Sequence, residues 1–276
     1  MTNGSIAHVK VKRVTINRQV DADDELAVEE PLEIQLAYGS SAKPVQQSVS
    51  VTMRTPGCDR ELAIGFLFTE GIIQNRGQVL ESQRGPFPDN TIVIALGANE
   101  IPRLQKSERN FYTTSSCGVC GKSSIDAIKT VSVYKNMSDE IRIKAELFYG
   151  LPATLRNRQA LFESTGGLHA SALFDLDGNF LMLREDVGRH NALDKVIGAA
   201  FLDDQLPLNK KILLLSGRAS FELVQKSVMA GIRIVASVGA PSSLAVQLAR
   251  ENGITIIGFL RNERFNIYSG EQRVVV

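Results

Sequence analysis

The sequence predicts an α/β fold with a smaller β-rich region at its amino terminus. Three observations support this prediction. The second half of the 276-residue chain alternates short apolar runs with segments of helical spacing, as in a sheet covered by helices on both faces. The first third contains runs in which apolar and polar residues alternate, the pattern of half-buried strands. A polar connector between these parts carries two of the three cysteines.

The amino-terminal region, residues 1–110, is predicted to be a small β-rich α+β unit. Residues 1–30 are polar, with an acidic run from Asp21 to Glu30, and are expected to form a loosely ordered lead-in. The elements predicted next are strands over 31–39 and 47–57, a helix over 59–73 with Asp59 as its N-cap, and a strand over 90–96.

The remaining region, residues 111–276, is predicted to be an α/β core that carries the cysteine connector and a ligand pocket. A hairpin over 171–186 is expected to turn at Asp177-Gly178. The later elements are an amphipathic helix over 190–201, a strand over 210–217, a helix over 221–231, a strand over 232–239, a helix over 242–253 and a final strand over 254–260. This alternation predicts a parallel or mixed sheet.

Composition restricts the class of protein. Hydrophobic residues make up 43% and charged residues 22% of the chain, as in ordinary globular proteins. A net charge of +1 provides no general attraction to nucleic acid. No apolar run reaches the ~18 residues of a membrane span, and the first residues lack the apolar core of a signal peptide. We therefore expect a cytoplasmic protein without a nucleic-acid or membrane partner.

The segment SSCGVCG contains the most reactive side chains of the sequence, Cys117 and Cys120, in C-x-x-C spacing. That spacing, a nearby cation or a helix N-terminus lowers the pKa of a thiol and so favours its reactive thiolate. Lys122 follows directly, and Ser123 or Ser124 is placed to cap a following helix. The flanking glycines leave the backbone free to expose both sulfur atoms. The pattern indicates exposed sulfur chemistry.

Other uses of the cysteine pair stay open from the residues alone. A structural disulfide is disfavoured because the chain is cysteine-poor and has no secretory signal. A structural zinc site needs about four ligands, and no second metal-type spacing accompanies the pair, so no structural metal is expected. A thioredoxin-like redox pair is the stronger rival, although the preceding TTSS is loop-like. Cys58 is expected to be buried.

Four polar clusters lie at the ends of predicted strands, where open α/β sheets bind their ligands. They are STGGLHAS with His169, REDVGRHNALDK with Asp186, Arg189 and His190, LLLSGRASFE with Gly217 and Arg218, and ASVGAPSSLA. Asp194 and Lys195 are expected at the solvated start of a helix. Each cluster alone is also explained by an ordinary polar connection. Two successive strand–glycine–serine–helix loops nevertheless favour a shared anionic ligand. Neither a Walker loop nor a G-x-G-x-x-G fingerprint occurs.

The segment GFLRNERFNIY brings Phe259, Arg261, Arg264 and Phe265 close together in sequence. Arginine binds phosphate oxygens through two parallel hydrogen bonds, and an aromatic ring stacks on a flat heterocycle. A surface strand end with extended arginines is an equally good explanation. Together the motifs indicate a reactive sulfur near a pocket for a large phosphorylated heterocycle.

These segments, in this order, closely resemble the FdhD/NarQ family of formate dehydrogenase accessory sulfurtransferases. The amino-terminal RTPGCDRELAIGFLFTEGII also matches, so the resemblance extends from about residue 30 to the end. It implies a three-layer α/β sandwich similar to the cytidine deaminase fold, and a homodimer. Zinc deaminase activity itself is disfavoured, because Ser171 stands where H-x-E needs glutamate and Ser116 precedes Cys117 in place of proline.

The resemblance also implies an activity. Members accept sulfur from a cysteine desulfurase as a persulfide. They pass it to their bound substrate, the molybdenum (or tungsten) bis(molybdopterin guanine dinucleotide) cofactor, which then enters formate dehydrogenase. The motif match places the persulfide on Cys117, with Cys120 assisting relay or release. The cofactor-binding residues that it implies are Phe259, Leu260, Arg261, Asn262, Glu263 and Arg264. Residues predicted to line the same pocket are Gly217, Arg218, His169 and Arg189.

Two points stay open beside this resemblance. Cys120 is nearer the predicted helix start, so local electrostatics favour it as the more acidic thiol, whereas the family pattern favours Cys117 as the sulfur carrier. Two alternative functions are a non-catalytic chaperone that carries the molybdenum cofactor and a thiol–disulfide oxidoreductase.

Overall fold

The computed structural model describes residues 4–40, 43–80, 90–98, 100–104, 132, 134 and 140–276. In chain order its elements are β1 (Ile6–Thr15), β2 (Arg18–Ala27), β3 (Glu30–Ser40), β4 (Lys43–Arg54), α1 (Asp59–Thr69), β5 (Thr91–Ala95), β6 (Ile143–Lys144), α2 (Ala145–Tyr149), α3 (Leu151–Arg156), α4 (Ala160–Thr165), β7 (His169–Phe174), β8 (Phe180–Asp186), α5 (Arg189–Leu202), β9 (Ile212–Leu215), α6 (Phe221–Met229), β10 (Ile234–Ser237), α7 (Ser243–Glu251), β11 (Thr255–Gly258), β12 (Asn266–Ser269) and β13 (Val274–Val275). None of the helices in these ranges is both long and apolar enough to cross a membrane.

A six-stranded mixed sheet forms the centre of the carboxyl-terminal half, in the order β12-β11-β10-β9-β7-β8. Strands β9, β10 and β11 are parallel, whereas β7, β8 and β12 run antiparallel to their neighbours. The three parallel strands are short and buried along their whole length, as their apolar sequences require. The predicted mixed sheet and the β7–β8 hairpin are confirmed.

Apolar layers cover both faces of this sheet. Leu213 and Leu215 pack in the cluster that contains α5, α6 and α7, whereas Leu214 and Ala236 pack with α2 and α3. This division follows from the alternation of side chains along a strand. The first cluster continues through α1 to a three-stranded sheet of order β4-β3-β5. Apolar residues from both sides of residue 110 therefore share one core, and the division into two domains there stays a prediction.

Helix α5 differs from its prediction as an amphipathic helix with a solvated start. All its residues from Asn191 to Phe201 are buried, and Asp194 and Lys195 are each only 2% exposed. The helix lies between the six-stranded sheet and α1, so no face of it meets water. The two helices approach closely at Gly65 and Gly198, where an added Cβ would collide with the facing backbone.

The amino terminus forms a β-ribbon, and the prediction of a loosely ordered lead-in was wrong. Strands β1 and β2 pair antiparallel along their full length. Lys10 faces Asp23, and Lys12 faces Asp21 with an ion pair. The acidic run is therefore largely one strand of a charged ribbon. Most of both faces is open to solvent, so the apolar alternation that identifies a strand is weak here.

Two smaller differences concern element ends. Helix α1 begins at Asp59, so its N-cap is Cys58, which has a left-handed φ of 58° and makes no side-chain capping bond. Asp59 pairs instead with Arg54 Nε at 2.9 Å. Strand β11 is not the last strand, because the chain turns back and adds β12 beside it and β13 beside β6. The other strands and helices predicted within the described residues are confirmed, with ends shifted by a few residues. The helix predicted to follow Ser123 or Ser124 lies outside the described residues.

Candidate functional site

Three loops meet at the carboxyl ends of the parallel strands β9, β10 and β11. Gly239 N donates to Gly217 O at 2.8 Å, and Phe259 N donates to Gly239 O at 3.0 Å. A Cβ on Gly239 would lie 3.0 Å from both Gly217 O and Arg218 Cγ, so a larger residue would push the loops apart. The prediction that successive loops share one edge of the sheet is confirmed.

A cleft of about 520 Å³ opens beside these loops. Its lining combines Gly166, Gly167, Leu168 and His169 before and at the start of β7, Ser216, Gly217 and Val238 from the loops, and Pro152, Leu155, Arg156, Gln159 and Phe162 from the α3–α4 segment. The structure thus brings three of the four polar clusters, STGGLHAS, LLLSGRASFE and ASVGAPSSLA, to one cavity. Its volume is in the range of small-molecule and cofactor sites.

His169 lies between the cleft and the buried charges behind it. It faces Asp186 across the β7–β8 pair, and its Nδ1 lies 3.4 Å from where a Cβ on Gly217 would be. Burial lowers the pKa of His169, and the nearby charges of Arg189 and His190 lower it further. A neutral imidazole offers one donor and one acceptor, which suits hydrogen bonding to a polar ligand.

Asp186 supports this site from behind. Its fully buried carboxylate accepts hydrogen bonds from Gly188 N at 2.8 Å, Asn191 Nδ2 at 3.1 Å and Thr55 N at 3.2 Å. It also forms an ion pair with Lys195 Nζ at 2.7 Å. Burial raises the pKa of Asp186 against the opposing effect of Lys195. Because these partners surround the carboxylate, its role is to orient the start of α5.

His190 takes part in a second charge contact, at the first turn of α6. Its Nε2 lies 3.6 Å from Glu222 Oε2 and makes no hydrogen bond within the described ranges. The distance is long for a hydrogen bond, so the attraction is mainly electrostatic. The pKa of Glu222 is lowered from its ordinary 4.5 to about 2, chiefly by this contact with His190 and further by the backbone N–H of Glu222.

The segment predicted to bind the cofactor forms the turn between β11 and β12. Arg261 N donates to Arg264 O at 2.9 Å, and Arg261 Nη1 donates to Val238 O at 2.7 Å. Val238 lines the cleft, so the turn lies at its rim. Phe259 is 44% exposed, whereas Leu260 is fully buried in the core and offers only its backbone to a ligand. The other exposed residues of the turn are Arg261, Asn262, Glu263 and Arg264.

The described residues include one of the three cysteines, Cys58. Cys117, Cys120 and the neighbouring residues Lys122, Ser123 and Ser124 lie outside the described residues. Cys58 is exposed at the start of α1, so the prediction that it is buried was wrong. Its sulfur is nevertheless partly shielded, and this shielding, together with Glu61, raises its pKa.

Sequence reasoning missed the residues that α3 and α4 contribute to the cleft. The guanidinium of Arg156 lies 4.4 Å from the centre of the Phe162 ring, and Gln159 lies between these two helices. The segment shows no glycine–serine loop or other ligand-binding pattern. Only their position around the same cavity as residues from the ends of β7, β9 and β10 identifies these residues as part of the cleft.

The model of the FdhD/NarQ family matches residues 27–275. The chain belongs to the FdhD/NarQ family. It is 49% identical to the sulfur carrier protein FdhD of Mycolicibacterium paratuberculosis, over 96% of this chain and 97% of that protein. It is 46% identical to the protein of the same name from Mycobacterium tuberculosis, over 97% and 98%. The FdhD/NarQ match includes the cleft, the turn at its rim and the C-x-x-C segment.

A solved structure shares the fold. The crystal structure described as a formate dehydrogenase accessory protein from Desulfotalea psychrophila superposes with a TM-score of 0.71 at 21% identity. The superposition covers 98% of this chain and 99% of that one. The mixed α/β architecture is therefore one that an experimental structure also has.

Proposed function

We propose that this FdhD/NarQ protein carries sulfur from a cysteine desulfurase, as a persulfide on Cys117, to the molybdenum bis(molybdopterin guanine dinucleotide) cofactor that formate dehydrogenase requires. The cofactor is the bound substrate. The supporting observation is that the loops of His169, Gly217 and Arg261 meet around one cleft in a chain whose relatives are named sulfur carriers. Formate dehydrogenase and the desulfurase are then the expected protein partners.

The loading step is an exchange between persulfides. The Cys117 thiolate attacks the terminal sulfur of the donor persulfide and forms a new S–S bond. The donor S–S bond breaks, and the donor cysteine leaves as a thiolate. No electrons are gained or lost overall.

Release uses the second thiol. The Cys120 thiolate attacks the Cys117 sulfur, the bond to the terminal sulfur breaks, and that sulfur leaves as hydrosulfide for the metal centre. The two cysteines supply the two electrons and become a disulfide, which a dithiol reductant converts back to thiols.

Cationic side chains at the rim fit the diphosphate groups of such a substrate. Arg218 lies against the second loop at Gly239, and Arg261 is held at the rim by its bond to Val238. Arg264 is exposed on the same turn. Arginine is well suited to phosphate because its planar group makes two parallel hydrogen bonds. His169 would then contact the substrate from the side of β7, near Arg189.

The first prediction tests the sulfur step. Incubation with a cysteine desulfurase and sulfur-labelled cysteine should place one labelled sulfur on the wild-type protein, seen by intact mass and removed by reductant. Cys117→Ala should abolish the label without unfolding the protein. Cys58→Ser is the matched control and should keep the label, because the raised pKa of Cys58 disfavours its thiolate.

Two other outcomes of these experiments would favour the alternative functions. Cofactor binding without label on any cysteine would overturn the sulfur step and favour a non-catalytic chaperone. Reduction of a small disulfide at a rate independent of Arg261 would favour an oxidoreductase. A homodimer and a core like the cytidine deaminase fold stay predictions that follow from the family resemblance. A cytoplasmic location stays a prediction that follows from the sequence pattern.

A further inference from the structure

A buried amide without a hydrogen-bond partner lines the cleft. Gln159 is only 4% exposed, and its Nε2 makes no hydrogen bond within the described part of the chain. Its backbone is already in use, because its N donates to Arg156 O and its carbonyl accepts from Glu163 N at the start of α4. Buried polar groups in proteins are almost always paired, so an unpaired one at the wall of a cavity is a candidate contact for a ligand.

The surroundings of Gln159 define the kind of ligand. The nearby walls are apolar, from Leu155, Phe162 and Leu168, and the Arg156 guanidinium lies 4.4 Å from the centre of the Phe162 ring at the exposed end of α3. Arg218, Arg261 and Arg264 lie at the rim or on exposed loops. A flat ring that presents a hydrogen-bond acceptor matches apolar walls with one amide donor between them. Phosphate groups, which need charge and water, match the rim. The cleft therefore suits a nucleotide with its base inside and its phosphates outside.

We propose that Gln159 is a specificity-determining residue that donates a hydrogen bond from Nε2 to the base of the bound nucleotide. The inference rests on the proposed function, whose substrate carries guanine. Guanine presents two acceptors, O6 and N7, on one edge, whereas adenine presents an amino donor in place of O6. With Nε2 aimed at O6, the amide meets an acceptor on guanine and the N6 amino donor on adenine, which leaves buried groups unpaired. Adenine suits a glutamine that reads N6 and N7 with both amide atoms, so tighter binding of ADP than of GDP would overturn the assignment.

Nucleotide binding to the full-length protein tests this role, with GDP, ADP and inosine diphosphate as probes. Wild type should bind GDP and inosine diphosphate, which shares O6 and N7, more tightly than ADP. Gln159→Leu removes the donor at similar volume and should weaken GDP binding about tenfold, with ADP affected less, so that the preference falls. Gln247→Leu, at an exposed glutamine on α7, is the matched control and should bind like wild type.

A stability measurement separates this role from a structural one. The Gln159 amide Nε2 makes no hydrogen bond in the structure without nucleotide, so Gln159→Leu should leave the Tm unchanged or raise it when no nucleotide is present. A clear fall in Tm would show that the amide serves the fold and would overturn the inference. Equal GDP affinity and base preference in wild type and Gln159→Leu would overturn it while leaving the proposed function intact. No GDP binding by wild type would instead count against the proposed function.

Discussion

At the scale of single residues, the charges near the cleft are set by burial and close partners. The pKa of His169 is below that of an ordinary histidine, because burial and the charges of Arg189 and His190 oppose its protonation. Glu222 shows the opposite effect, since His190 stabilises its ionised form. The two histidines of the predicted site therefore have different neighbours. One lines the cleft, and the other holds the first turn of α6.

The low pKa of Glu222 leads to a prediction about stability. A carboxylate with a depressed pKa in the folded state contributes stability above its unfolded pKa and loses it as the pH falls. This contribution should be complete above about pH 4.5 and disappear toward about pH 2. Glu222→Gln should therefore be less stable than wild type at pH 6, and the difference should shrink by pH 3. Urea unfolding at both pH values measures this.

The control for this experiment is the loss of an exposed carboxylate. Glu163→Gln on α4 removes one negative charge from an exposed residue and should follow the wild-type pH dependence. A constant difference between Glu222→Gln and wild type from pH 6 to pH 3 would contradict the role given to His190.

At the scale of elements, a buried polar cluster links three helices. Lys226 Nζ on α6 donates to Asp194 Oδ2 on α5 at 2.8 Å and to Thr69 Oγ1 on α1 at 2.9 Å. Thr69 Oγ1 in turn donates to Asp194 Oδ1 at 2.9 Å. Burial raises the pKa of Asp194, and Lys226 opposes that shift. These directional hydrogen bonds fix the positions of α1, α5 and α6 along one another more tightly than apolar packing does.

Removing one charged member of this cluster should lower the stability of the folded protein. Lys226→Met leaves the Asp194 carboxylate buried without its counter-charge and should lower the free energy of unfolding by about 3–5 kcal/mol. The double variant Asp194→Leu with Lys226→Met should regain most of this loss, because no buried charge remains. Chemical denaturation of both variants measures the difference. Lys144→Met, at an exposed lysine, is the control and should change stability by less than about 0.5 kcal/mol. Additive effects of the two substitutions would contradict the coupling.

At the scale of the whole molecule, the contact between α1 and α5 joins the amino-terminal sheet to the six-stranded sheet. Both helices contribute to one apolar cluster, which reaches from Leu32 on β3 to Ile256 on β11. The close approach at Gly65 and Gly198 makes this junction tight. The β1–β2 ribbon is the exception, because it is mostly exposed and adds little to the shared core.

This junction predicts cooperative unfolding. Gly198→Ala places a methyl group against the backbone of α1, and overpacking of this kind destabilises by at least about 1–3 kcal/mol. The Tm should fall in a single transition seen by all probes. Gly150→Ala, at a position with open space and an ordinary φ of −80°, is the control and should be near neutral. Two separate transitions, with only one shifted, would contradict the shared core.

Sequence reasoning predicted those parts of the fold and site that depend on local pattern. The mainly apolar runs ILLL, IVAS and TIIG identify buried strands because burial on both faces favours apolar residues. The glycine and serine loops after them indicate a ligand edge for a similar local reason. The β1–β2 ribbon was not predicted, because a strand exposed on both faces has no apolar alternation. Gln159 was not predicted to line the cleft, because the sequence around it shows no pattern typical of a buried polar residue.

The sequence by itself determined the mixed α/β class, the order of most strands and helices, and the family to which the chain belongs. These follow from periodicity and from motifs of neighbouring residues. Tertiary structure alone decided that Asp194 and Lys195 are buried, that Cys58 is exposed, and that α3 and α4 close one side of the cleft. Burial depends on which distant segment packs above a residue, and local sequence carries little information about that segment.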